Sequence, residues 1–246
     1  MGLITNILMV IVIVVIIVFV YNYLNSTKIQ LSNLKSASKV DTTDASKLPS
    51  NKASSNYAYS IWFYVKNWQY RLTEKKELLS RSSNNSDNTA NPRITLAAYE
   101  NNININVATY PSSDPNDKKT STDDLANHDC IIRNFPLQKW VNLIVSLNGR
   151  TLDVYLDGKL VRTCVLPGVA KIDPNASVNI TPDGGFSGWT SNMQYWSHPL
   201  NPQEAYNIYK KGYGGGGFSG LGGLFDKYKI KVAYLVDNEE EGSFSI

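Results

Sequence analysis

The sequence predicts an all-β sandwich with one short C-terminal helix, carried behind a single transmembrane helix. Three observations predict it. Apolar and polar residues alternate with period two through the middle of the chain, two tight-turn dipeptides join three of those runs, and the first two dozen residues are almost wholly aliphatic. The 246 residues leave room for one sizeable domain with appendages.

From Leu3 to Val20 only Thr5 and Asn6 interrupt the aliphatic run, and Tyr21 to Leu24 extend it into an aromatic flank. About 20 apolar residues cross a hydrocarbon core of roughly 30 Å, so residues 1–24 read as a membrane-spanning helix. No Lys or Arg precedes the run, and the bulky Tyr21, Asn22 and Tyr23 that follow it argue against a cleaved signal peptide. Lys28, Lys35 and Lys39 on its C-terminal side favour a cytosolic domain. Sequons at Asn25, Asn84, Asn175 and Asn179 and the two cysteines pull toward a lumenal one, but the lysines weigh more. Residues 25–56, dominated by Ser, Thr, Lys, Asn and Asp, read as a flexible polar stalk that cannot bury enough surface to order itself.

Strands are expected over Tyr57–Val65, Glu77–Arg81, Arg93–Tyr99, Ile103–Val107, Val141–Leu147, Thr151–Leu156 and Lys159–Val165. Val141, Leu143, Val145 and Leu147 form an apolar face, while Asn142, Ile144 and Ser146 form a mixed face expected to be partly solvated. Asn148-Gly149 and Asp157-Gly158 tolerate the positive φ of tight hairpins, so the last three strands form a meander. Pro111 to Asn127 is polar and reads as a long surface loop. One helix is secure: Asn201 caps it, Pro202 opens it, Glu204 completes a capping box, and Gly212 ends it.

Composition excludes several functions. A net charge of +3 without a basic stripe is no footprint of a nucleic-acid binder, and no nucleic-acid partner is expected. Two cysteines make neither a disulfide scaffold nor a four-cysteine zinc site. Two histidines leave little for histidine-based catalysis, whereas 15 Tyr and 5 Trp suit an aromatic β core.

The strand Tyr59-Ser60-Ile61-Trp62-Phe63, the run Trp140 to Val145, the segment Val154 to Leu160, and the stretch Phe186-Ser187-Gly188-Trp189 to Leu200-Asn201-Pro202-Gln203-Glu204 carry a resemblance. In this order they resemble the concanavalin A-like lectin/glucanase superfamily, and within it laminin-G-like and pentraxin-like modules. The resemblance covers residues 57–211 and implies a jelly roll of two packed antiparallel sheets, without implying an activity.

A glycosidase on such a fold needs two carboxylates flanking the scissile bond, and no Glu-x-Asp-x-Glu-like run supplies them. Glu74 and Glu77 flank Lys75 and Lys76 as a solvated edge, and no catalytic residue is expected. His128, Asp129 and Cys130 are sequence neighbours, which on a strand point to opposite faces. Cys164 ends the meander and meets Cys130 if their strands adjoin, which makes the two a candidate disulfide. Asp114, Asp117, Asp123 and Asp124 are the calcium candidates, since lectin relatives often use that ion, although their spacing matches no EF-hand loop. No cofactor is otherwise expected.

Residues 212–246 open with a glycine-rich linker, Gly212 to Gly223. Beyond it Tyr228 to Val236 alternates lysines with Ile230, Val232 and Tyr234, the candidate partner-binding residues. Such a strand returns to its own sheet or adds to a neighbour's edge. Together these features predict a non-enzymatic, single-pass membrane protein that docks other proteins. The architecture is similar to membrane-associated minor capsid proteins of large DNA viruses, which implies a virion inner membrane as the location and capsid proteins as partners. The alternative is a cell-surface, glycan-binding lectin.

Overall fold

The computed structural model describes residues 9–10, 12–17, 27–49, 55–82, 90–110, 126–214, 231–236 and 239–245. Within the expected transmembrane helix, residues 9, 10 and 12–17 are helical and exposed, and the rest of 1–24 lies outside the described residues. Among the described residues no helix is long and apolar enough to cross a membrane.

Two antiparallel sheets form the body. The front sheet contains β1 (Lys28–Ser32), β2 (Lys35–Ser36), β4 (Tyr57–Asn67), β9 (Trp140–Asn148), β10 (Thr151–Leu156), β11 (Lys159–Val165) and β13 (Ser187–Trp196). Its order is β1-β13-β4-β9-β10-β11, with β2 also on β13. The back sheet orders β3 (Asp41–Thr43), β12 (Ser177–Ile180), β5 (Lys76–Ser82), β6 (Arg93–Leu96), β7 (Ile103–Thr109) and β8 (Ala126–Ile132) as β3-β12-β5-β6-β7-β8. An α-helix, α1 (Pro202–Lys210), follows β13. It carries the capping box: Glu204 N–H donates to Asn201 Oδ1 at 2.9 Å and Asn201 N–H donates to Glu204 Oε2 at 2.8 Å. Thus an all-β, two-sheet sandwich with one short C-terminal helix is observed.

The core lies between the sheets. Tyr57, Tyr59, Ile61, Phe63 and Val65 of β4, Val141, Leu143, Val145 and Leu147 of β9, and Ile103, Ile105 and Val107 of β7 alternate into it. Burial of each large apolar side chain contributes roughly 1.5–3 kcal/mol, which outweighs the intrinsic preferences of single residues. The phenols of Tyr57 and Tyr59 are fully enclosed; burial pushes both well above the usual tyrosine range, opposed by Arg81. Tyr57 Oη donates to Asn91 Oδ1 at 2.7 Å.

The opposite face of β9 differs from expectation. Asn142, Ile144 and Ser146 are buried, because α1 lies over the outer face of the front sheet. There Ile144 joins Ala58, Tyr155, Trp196, Leu200, Ala205 and Ile208 in a second apolar cluster. Asn142 Nδ2 donates to Ser60 Oγ at 3.1 Å, and Ser146 Oγ accepts Leu200 N–H at 2.9 Å.

The segment read as a stalk is also different. From residue 27 it forms edge strands of both sheets: β1 and β2 pair with β13, and β3 pairs with β12. Ala37 sits between them, fully buried, its N–H on Gly188 O at 3.0 Å and its O accepting Phe186 N–H at 3.1 Å. Gly185 (φ +42) lets this strap close, since a Cβ there would meet Ala37 O at 2.1 Å. Backbone pairing, with Ala37 and Leu48 in the core and Ile29 and Leu31 packed against it, holds so polar a segment in place, although its composition resembles a linker.

The far flank is closed covalently. Cys130 of β8 and Cys164 of β11 are joined by a disulfide across the edges of the two sheets, with Arg162 Nη1 donating to Ile131 O at 2.8 Å beside it. In the tail, β14 (Lys231–Val236) pairs with β15 (Glu239–Ser245) in an antiparallel hairpin. The acidic Glu239 to Glu241 therefore belong to a strand.

Candidate functional site

A polar cleft of about 380 Å³ runs over the outer face of the back sheet. Four neighbouring strands build it because each alternates: β6 sends Ile94 and Leu96 to the core and Arg93 and Thr95 outward, and β7 sends Ile103 and Ile105 inward and Asn104 and Asn106 outward. Register lines these residues up. Glu77 of β5 faces Thr95, Thr95 faces Asn104, Arg93 faces Asn106, and Asn106 faces Asp129 of β8. Arg71, Lys75 and Asp183, from the loops after β4 and β12, form the mouth.

One ion pair lies within it and a second at its mouth. Arg93 Nη2 and Nε both reach Glu77 Oε2 at 2.8 Å, and Glu77 is buried rather than a solvated edge, because the cleft wall covers it. Asn106 Nδ2 donates to Asp129 Oδ1 at 2.8 Å. Arg71 holds Glu74 Oε2 through Nη2 at 2.5 Å and donates through Nη1 to Asp183 O, latching the two mouth loops together. Three basic residues (Arg71, Lys75, Arg93) face three acidic ones (Glu77, Asp129, Asp183), so the cleft has no formal net charge. Beneath the mouth, Lys76 lies buried with Nζ 4.5 Å from the Trp68 ring centre; burial, then Arg71, pulls its ammonium below the usual lysine range, opposed by Glu74.

Two acceptors are left over. Asn104 Oδ1 and Asn106 Oδ1 are buried in the cleft floor without a hydrogen-bond partner. Each such atom costs about 1–3 kcal/mol, a cost that a ligand hydroxyl donating to it removes. The two amide oxygens can accept hydrogen bonds from hydroxyl donors.

The residues singled out from sequence fall elsewhere. Asp114, Asp117, Asp123, Asp124 and Ile230 lie outside the described residues, and Val232 and Tyr234 stand on β14 opposite Phe244 and Gly242. Among the described residues no three His, Cys, Asp or Glu converge on one point. Of the His128-Asp129-Cys130 trio, Cys130 is bonded to Cys164 and Asp129 lines the cleft. The cleft residues were missed because each reads alone as an ordinary outward polar position. The legible signal was the recurrence of Arg, Thr, Asn and Asp at outward positions of consecutive strands.

Two packed antiparallel sheets, with a polar cleft on one open face, define a jelly-roll sandwich. The chain belongs to the Concanavalin A-like lectin/glucanases superfamily: its Laminin_G_3 family model matches residues 35–205, beginning inside the strap. No curated protein sequence matches the chain. Among solved structures it is similar to the receptor binding domain of botulinum neurotoxin C/D mosaic serotype (11% identity, TM-score 0.54, covering 74% of this chain and 43% of that one). It is also similar to the botulinum neurotoxin serotype D binding domain (13%, 0.52, 72% and 41%). A third is the serotype D ligand binding domain in complex with N-acetylneuraminic acid (12%, 0.51, 75% and 46%). The chain thus spans under half the length of each.

Proposed function

We propose that this protein is a membrane-anchored, non-enzymatic lectin-like receptor that holds a neutral glycan in the back-sheet cleft. The pair of orphaned acceptors, Asn104 Oδ1 and Asn106 Oδ1, carries the reading, because sugar hydroxyls are the donors such a floor lacks. The serotype D ligand binding domain, similar to this chain over 46% of its own length, is in complex with N-acetylneuraminic acid. The ion pair that holds the Glu77 carboxylate on Arg93 supports a reading of binding rather than hydrolysis. Residues 1–24 supply the anchor, and the Cys130–Cys164 bond supports a domain on the oxidising side of the membrane, opposite to the side the lysines favour.

The test is a glycan array probed with the full chain in lipid nanodiscs, followed by titration of hits against an Asn104→Leu/Asn106→Leu variant. Binding that falls at least tenfold without a fall in melting temperature is expected. An array without hits, or a variant that binds equally well, overturns the proposal. A docking role for the tail is a second reading, favoured by the β14–β15 hairpin behind the glycine-rich segment, with Ile230, Val232 and Tyr234 as its contacts. Truncation after Gly217 that leaves folding and glycan binding intact but abolishes partner capture is its expected result. Nothing among the described residues favours capsid proteins over other partners.

A further inference from the structure

The strap fixes which end of the sandwich meets the membrane. Thr27 O already accepts Ser197 N–H at 3.0 Å, and β1 starts at the next residue, opposite Trp196. Register carries this end across the front sheet: Trp196 faces Ala58, Tyr57 faces Leu147, Asn148 faces Thr151, and Thr151 faces Val165. It continues to the back sheet, where Tyr110 N–H donates to Val169 O at 2.9 Å and Thr109 bridges Ala170. Thr27, Ser197, the Asn148-Gly149 turn, Val165, Val169 and Tyr110 therefore share one end.

The apolar run stops at Leu24, three residues before Thr27. Three residues span at most about 10 Å even when fully extended. The headgroup layer on each side of a bilayer is itself roughly 5–7 Å deep. With no stalk to provide distance, this end of the domain reaches the headgroups. It also exposes the side chains suited to that layer: Val165 is 67% exposed, Val169 51% and Tyr110 50%. Tyrosine is enriched at membrane interfaces, where its ring is buried and its hydroxyl stays wet.

We propose that the phospholipid surface is a docking partner of this end, with Val165, Val169 and Tyr110 seated among the headgroups. The inference rests on the anchor reading of residues 1–24. The cleft mouth, formed by the loops after β4 and β12, then lies at the opposite end, facing away from the bilayer.

The experiment compares the full chain in phosphatidylcholine/phosphatidylglycerol nanodiscs with a variant carrying 20 Gly/Ser residues inserted between Ser26 and Thr27. Such an insert reaches about 25 Å and lies outside the folded body. Amide exchange of Leu166 to Ala170 and Tyr110 is expected to be at least threefold slower in the native chain than in the insertion variant, with equal exchange in the β4 and β9 core. A Val169→Glu substitution in the native chain is expected to abolish that difference without changing the melting temperature. Flotation with liposomes separates the two levels of failure. If the chain does not float, the anchor reading falls and the seat with it; if it floats and the exchange is equal in both chains, the seat alone is overturned.

Discussion

Breaking the Cys130–Cys164 bond is expected to cost about 4 kcal/mol. The cysteines are 34 residues apart, and the chain-entropy relation gives a loop of that length about 13 cal/mol/K, or about 4 kcal/mol at 25 °C, all of it exerted on the unfolded chain. The native state has other means of holding these edges, since β8 and β11 share the core and Arg162 bridges to Ile131 O. The reduced domain should therefore stay folded. For a domain of this size each kcal/mol moves the melting temperature by ~2–4 °C, so reduction should lower it by roughly 8–16 °C. Urea titrations of oxidised protein, reduced protein and a Cys130→Ala/Cys164→Ala variant would measure this. The midpoint should fall and the slope should rise, as the released loop exposes more surface on unfolding. A reduced protein with the midpoint of the oxidised one, after thiol titration has shown no free thiol before reduction, would refute the reasoning.

Further outcomes are expected. Ile144→Ala should cost 2–5 kcal/mol, much like Leu143→Ala on the opposite face, as both are fully buried; a loss below about 0.5 kcal/mol in thermal melts would mean that α1 does not cover it. Tyr57 and Tyr59 hold their protons in the fold to a higher pH than in the unfolded chain. Their stabilisation is complete below the ordinary tyrosine value of about 10 and is lost as pH rises toward the raised folded values. Absorbance at alkaline pH should show these two phenols ionising together with unfolding; ionisation of every tyrosine before the fold is lost would contradict their enclosure. Deleting residues 1–26 should leave a folded domain, whereas deleting 1–56 removes β1 to β3, uncovers β13 and β12 as edges and should give an aggregating chain by gel filtration. Equal melting of the two truncations would show that the strap is dispensable.

Local chemistry made some elements legible and hid others. The β9-β10-β11 meander could be read because Gly149 (φ +60) and Gly158 (φ +74) mark its turns and apolar residues alternate between them. The helix could be read because its capping box is a local device. By contrast β13 contains Gly188, Ser191 and Asn192, with a register shift near Asn192 (φ 46), so its polar positions read as loop although strands flank it on both sides. β1 to β3 were lost because edge strands carry lysines and serines, the same residues that make a linker. Asn142 was misplaced because the solvation of an outer face depends on what packs there, and α1 comes 60 residues later in the chain. The cleft required the register of four strands to bring Glu77, Arg93, Asn106 and Asp129 together.

The strap also determines how the domain bears tension. The chain enters β1 at Lys28, and the strand then runs along β13 through Lys28↔Trp196, Ile29↔Tyr195, Gln30↔Gln194 and Ser32↔Met193. On the proposed reading, with residues 1–24 in a bilayer and a ligand in the cleft, a pull between the two acts along the strands. It loads those hydrogen bonds in shear, all at once, and passes from β13 to β4, its longest partner in the front sheet. An anchor leading into a strand from the side would instead open the sheet one bond at a time. Single-molecule stretching from the N-terminus against a captured ligand should accordingly show one cooperative rupture, with the ligand released before the strap.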